Sequence, residues 1–129
     1  MITEDYVSFE TAKLLKEKGF DGVCRTAYET ITNEHEVEQC SLSSWGKLNQ
    51  VKRPTLQMIM KWLRDEKHYY IQVMLDGWAC GGHLGYYVVI QKTDSDFEMM
   101  LQDAVDEVFY QTYEEAAEDA IKYIVENLI

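Results

Sequence analysis

The hydrophobic period of this chain switches from 3.6 to 2 between residues 66 and 69, and that switch fixes much of what it can fold into. From Pro54 to about Glu66, Leu56, Ile59, Met60 and Leu63 recur at the i, i+3, i+4, i+7 positions of an amphipathic helix. Met58 and Trp62 widen the apolar arc, which predicts a helix packed on more than one side. Beyond it, Tyr69, Ile71, Val73 and Leu75 alternate with the period of a strand, and Leu84, Tyr86, Val88 and Ile90 repeat the alternation. Residues 69–76 and 84–92 therefore read as a β-hairpin joined by Gly77-Trp78-Ala79-Cys80-Gly81-Gly82-His83.

Local signals set the flanking elements. Ser8 is placed to cap a helix over 8–18 that closes at Gly19, with Phe20 positioned to reach back to Leu15. Val23 to Ile31 reads as a strand, Asn33-Glu34 as a turn, and Glu36 to Ser41 as a returning strand. Residues 42–53 read as a polar connection. Ser95 with Glu98 has the form of a capping box, and Phe97, Met100, Leu101, Ala104, Val105 and Val108 keep helical spacing, so 96–109 is expected to be a helix. The competing expectation is that Phe97 to Leu101 forms an edge strand completing a three-stranded sheet. Thr112 with Glu115 forms a second box that opens a helix through Ala116, Ala120, Ile121, Ile124 and Leu128. At 129 residues the expectation is one α+β domain over 1–129. Its core would be a small antiparallel sheet, the hairpin 69–92 plus the N-terminal strands, covered by three or four helices.

Charge is distributed unevenly. Of the formal −11, nearly all lies in residues 94–129, where eleven acids against the single Lys122 give −10. Residues 47–67 carry Lys47, Lys52, Arg53, Lys61, Arg64 and Lys67 against Asp65 and Glu66, a net of +4. The simplest reading of the +4 stretch is that it neutralises part of the acidic one. The acidic balance weighs against direct nucleic-acid binding, which needs clustered Lys and Arg. The longest wholly apolar run, Tyr86 to Ile90, is too short to span a bilayer, and acids stand where a signal peptide needs positive charge. Cys24, Cys40 and Cys80 are odd in number and irregularly spaced, which argues against a disulfide framework. A soluble, cytoplasmic protein is expected.

No motif carries a reaction by itself. Cys80-Gly81-Gly82-His83 has ligand-like spacing, and His35 with Cys40 would be needed to complete a tetrahedral zinc set. His35-Glu36 begins like a zincin helix, but Gln39 stands where the second histidine belongs. Asp94-Ser95-Asp96 begins like an EF-hand loop, but Met99 and Val105 replace the required glycine and acid. Cys80 and His83 could form a thiol nucleophile and base, the alternative of a small hydrolase or thiol enzyme, although no orienting third group is identifiable. No cofactor is expected, and an enzyme is the less favoured reading. Trp78, in a Gly-rich hairpin tip, is the kind of residue that anchors protein interfaces. The acids Asp103, Asp106, Glu107, Glu114 and Glu118 offer a charged partner-binding face. A nucleic-acid mimic that blocks a basic cleft is a further alternative. It requires the acids of 96–109 and 113–128 to share one exposed helical face, and a strand at 97–101 removes it.

Three stretches, Val7 to Asp21, Pro54 to Arg64, and Thr112-Tyr113-Glu114-Glu115-Ala116-Ala117-Glu118 through Glu126-Asn127-Leu128-Ile129, resemble small uncharacterised proteins that recur in gut Bacteroidales and their phages or prophages. The resemblance covers the three clear helices, somewhat under half the chain. It implies a bacterial, mobile-element-linked cytoplasmic protein and brings no activity or catalytic residue with it. Residues and resemblance together point to a non-catalytic binding or accessory protein that acts through a protein partner, with homo-oligomerisation open.

Overall fold

In the computed structural model, the residues described are 2–31, 36–41, 50–76, 85–101 and 110–129, with only the backbone described at 30–31, 36–41 and 76. The fold is mixed α+β, and its chain contacts divide it into two compact units, Met1–Thr55 and Leu56–Ile129.

The first unit opens with helix α1, Phe9–Glu17. Ser8 caps it by accepting from the Thr11 amide at 3.3 Å. At the other end Gly19 adopts φ +88°, so the Phe20 amide reaches the Leu15 carbonyl at 3.0 Å and the Gly19 amide reaches Lys16 at 3.2 Å. This is the predicted Schellman closure, and it depends on the glycine because side-chain-bearing residues rarely adopt that backbone. Strand β1, Thr26–Ile31, pairs antiparallel on both sides, with β2 (Glu36–Ser41) and with β3 (Gln50–Lys52). Tyr28 joins the layers: its hydroxyl donates to the Val7 carbonyl, and its ring meets Phe9 edge-on at 5.7 Å. Val7, Ala12, Leu15 and Ala27 are buried with it.

The second unit runs α2 (Leu56–Glu66), β4 (Tyr69–Asp76), β5 (Gly85–Lys92), β6 (Glu98–Leu101) and α3 (Tyr113–Asn127). His68, at φ +65°, turns the chain from α2 into β4. The hairpin forms with unbroken register, Tyr69 opposite Lys92 through Asp76 opposite Gly85. Alternation then places Tyr69, Ile71, Val88 and Ile90 on the buried face of the sheet, where α2 and α3 both contact β4 and α3 also contacts β5. Helix α3 is capped by Thr112, which accepts from the Glu115 amide at 3.1 Å as the capping box predicts. Its Ala116, Ala117, Ala120, Ile121, Ile124 and Val125 are fully buried. The wide apolar face of α2 is also used, with Trp62 buried alongside Ile59 and Leu63.

Two expectations are corrected. The hairpin and the N-terminal strands do not share one sheet but form two, ordered β2-β1-β3 and β4-β5-β6. β1 is central, between β2 and β3, and among the described residues neither hairpin strand pairs with any of the three. Residues 98–101 are strand, not the start of a helix, with Ile90 opposite Met99 and Val88 opposite Leu101. Ser95 accepts from the Phe97 amide at 3.3 Å and so shapes a turn instead of a helix cap. Phe97, Met99 and Leu101 alternate with period 2 while Phe97, Met100 and Leu101 fit period 3.6, and the open backbone edge of β5 decides between them. The remainder of that predicted helix, 102–109, lies outside the described residues. Beyond it Tyr110 resumes pairing with Tyr86, at 2.7 and 2.8 Å.

Ile124→Ala, in the fully buried stripe of α3, is expected to cost about 2–5 kcal/mol, read as a lowered urea midpoint. Val23→Ala, at an exposed position, should change stability by about 0.5 kcal/mol or less.

Candidate functional site

Most residues that sequence reasoning singled out for chemistry lie outside the described residues: His35, Trp78, Cys80, His83, Asp103, Asp106 and Glu107. Cys40 sits on β2 opposite Ala27 in the ladder. Among the described residues no cluster of three His, Cys, Asp or Glu side chains is placed to hold a metal ion. Cys24 is buried, and its Sγ lies 3.8 Å from the Gly22 carbonyl to which it donates. Burial pushes its thiol pKa up from 9.0, with the Lys52 ammonium opposing. A thiol held protonated in this way is a packing group and not a nucleophile.

The described acids divide between elements. Asp94 pairs with Lys92 at 3.8 Å in the β5–β6 turn, and Glu98 is on β6. On α3, Glu114, Glu115, Asp119 and Glu126 are exposed while Glu118 is half-buried. Asp119 accepts from the Tyr110 hydroxyl at 2.5 Å, which ties the helix to the residue bridged to Tyr86. With 100° per residue, the polar positions 114, 115, 118, 119, 122 and 126 cover an arc of about 140°. That arc is a coherent charged face of one helix. The strand at 98–101 puts Glu98 on β6 and not on a helix beside α3, while Asp103, Asp106 and Glu107, the other acids a nucleic-acid mimic would draw on, lie outside the described residues.

Among the apolar strand residues of the inner-parity face only Leu75, at the end of β4, is exposed, whereas the other face of the β4-β5-β6 sheet carries several exposed apolar side chains. Strand parity and register place Tyr70, Gln91 and Glu98 in one cross-strand row, Gln72, Val89 and Met100 in the next, and Met74 with Tyr87 beyond them. Met100 is 60% exposed, Tyr70 39% and Met74 38%. A polar chain crosses this face: the Gln72 amide donates to Gln91 at 2.5 Å, and the Gln91 amide donates to Glu98 at 3.4 Å. It fixes three long side chains on the surface and leaves Met100, Val89 and Met74 as an apolar strip beside them. At the turn end, Tyr70, Gln91, Lys92, Ser95, Asp96 and Glu98 line a shallow groove. The opposite end of the face leads into the 77–84 connection, whose sequence carries Trp78.

Sequence reasoning attended to the inward alternation and passed over this outward set. The signal was present, because the complementary positions of both hairpin strands include Tyr70, Met74, Tyr87 and Val89, with Asp76 at the end of β4 the one charge among them. A sheet face meant only for water would carry Lys, Glu or Thr there.

Among the described residues no helix is long and apolar enough to cross a membrane. No protein-family model, no curated protein and no solved structure matches the chain.

In a chain with Cys40 and Cys80 replaced by serine, Cys24 should react with iodoacetamide at least about tenfold more slowly folded than in urea, because burial denies it both access and thiolate. Equal rates would show an accessible, activated thiol. The raised pKa also sets a sign: the stability it contributes is intact below the unfolded thiol's pKa and is lost as pH rises through the folded one.

Proposed function

We propose that this chain is a non-catalytic binding or accessory protein, cytoplasmic and of bacterial or prophage origin, that works through contact with a protein partner. The observation that carries the reading is the outward face of the β4-β5-β6 sheet, where Met100, Tyr70 and Met74 stand exposed in register around a hydrogen-bonded Gln72–Gln91–Glu98 row. Exposed apolar groups collected on one sheet face, bordered by ordered polar groups, have the composition of an interface core with its rim. Trp78, between β4 and β5 in the sequence and outside the described residues, is an aromatic residue of the kind that dominates binding energy. The acidic arc of α3 favours a partner with basic surface and speeds their encounter. The bacterial and prophage origin is supported by the resemblance of the three helical stretches.

The tagged full-length chain, used as bait in extract of a Bacteroidales host, should retain one partner in stoichiometric amount. Met100→Asp should reduce that retention at least about tenfold, because it puts a charge at the most exposed apolar position of the strip. Glu114→Lys with Glu126→Lys should slow association at low salt and leave high-salt binding nearly unchanged. Unaltered retention by the Met100→Asp chain, with its circular dichroism intact, would overturn the assignment of this face.

A further inference from the structure

The first unit holds an arginine that is firmly seated and yet has no anion. Its backbone is fixed on two sides: the Arg53 amide donates to the Thr26 carbonyl at 3.0 Å, and next to it the Val7 amide donates to the Pro54 carbonyl at 3.1 Å and Tyr6 bridges to Thr55. The guanidinium lies 3.8 Å from the centre of the Tyr6 ring, a stacking distance, and 5.6 Å from that of Tyr28. Its Nε is enclosed and meets no hydrogen-bond acceptor. Arg53 as a whole is half-buried, so the terminal nitrogens remain open to solvent. Among the described residues no carboxylate pairs with it, although Glu4 and Asp5 directly precede Tyr6. The Tyr6 hydroxyl is likewise without a hydrogen bond among the described residues, whereas that of Tyr28 donates to the Val7 carbonyl. A cation partly stripped of water and given no counter-charge is a costly arrangement, and a bound anion offsets that cost.

We propose that Arg53 and Tyr6 form a binding site for a phosphate group. The terminal nitrogens of the guanidinium offer a bidentate fork to an oxyanion. That fork alone would suit a carboxylate equally well, and the Tyr6 hydroxyl decides between them. Because the guanidinium is stacked over the ring, the hydroxyl lies out of the plane of the fork. A carboxylate gripped by the fork stays in that plane, whereas a tetrahedral phosphate turns a third oxygen toward the hydroxyl. The local charge admits such a ligand. Residues 1–55 carry nine acids against seven bases, a net of −2, while residues 94–129 hold −10 of the chain's −11. Lys52 adds a second cation beside Arg53, its ammonium held by the Asp21 and Gly22 carbonyls at 3.2 and 2.8 Å and by no carboxylate. The site takes a single phosphate group and not a nucleic-acid backbone, since a polyanion is repelled by the net −11. It lies in the first unit and is independent of the β4-β5-β6 face.

The arginine Nε–H signals in a proton–nitrogen correlation spectrum of the full chain test this directly. On titration with inorganic phosphate the Arg53 signal should shift and saturate, while acetate at equal ionic strength leaves it in place. Saturation by neither anion, or equally by both, would overturn the proposal. Phenyl phosphate separates the two sources of the group: tighter saturation than by inorganic phosphate assigns the site to a phosphate ester, and weaker saturation assigns it to the free ion. Tyr6→Phe keeps the ring beneath Arg53 and removes only the hydroxyl. It should weaken phosphate binding about fivefold, followed at the Val7 and Thr26 amides, with the urea midpoint unchanged. Arg53→Lys keeps the charge and loses the fork, and should weaken binding at least about tenfold. Undiminished phosphate binding by the Tyr6→Phe chain would contradict the tetrahedral assignment, and undiminished binding by the Arg53→Lys chain would remove the site.

Discussion

The packing of α3 onto the inner face of β5 is the contact on which the second unit depends. Three alanines, Ala116, Ala117 and Ala120, let the helix approach the sheet closely. Ile121, Ile124 and Val125 then meet a layer that contains Val88 and Ile90, all of them fully buried. Each large aliphatic side chain removed from water there stabilises the fold by about 1.5–3 kcal/mol. The surface of the helix adds nothing comparable, because Glu114 with Glu118 and Glu115 with Asp119 are like-charge pairs at i, i+4, each costing about 0.2–0.5 kcal/mol. Helix α3 exists because the sheet gives it something to cover. The same contact also assigns the two faces of the sheet, since the face that α3 does not cover is left to solvent or to a partner.

This division changes the meaning of the chain's acidity. A net −10 over residues 94–129 suggests one continuous charged surface, yet the structure divides the described acids among a turn, an edge strand and a helix. Asp94 is held by Lys92, and Asp119 is held by Tyr110. The largest group of exposed acids among the described residues is the arc of α3, a source of long-range attraction and solubility. Charge of that kind governs how fast and at what salt concentration a partner arrives. The binding energy falls instead to apolar groups such as Met100 that the sheet leaves uncovered.

How much of this was legible in the sequence depends on whether local or distant atoms decide. Ser8, Gly19 and Thr112 act on amides and carbonyls within a few residues, so the ends of α1 and the start of α3 followed from spacing alone. The hairpin followed too, because alternation over Tyr69–Leu75 and Tyr86–Ile90 admits one register once an inner face is chosen. Residues 98–101 were ambiguous: Met100 and Leu101 continue a helical spacing from Phe97 while Met99 and Leu101 alternate as in a strand, and the deciding group, the unpaired edge of β5, is supplied by the fold. The division into two sheets was hidden for a related reason, since β1 gains its second neighbour from the three-residue β3, within a stretch that reads as polar connection. The outer sheet face was readable, but only by asking what the second half of each alternation was for.

The most direct measurement is the sidedness of the β4-β5-β6 sheet, read from the methyl resonances of the purified protein in the presence of a soluble paramagnetic probe. The Met100 methyl should broaden strongly, while those of Val88, Ile90, Ile121 and Ile124 stay sharp, because the first stands open on the outer face and the others lie beneath α3. Protection of Met100 equal to that of Ile90 would contradict an uncovered outer face and remove the surface from which the function is argued.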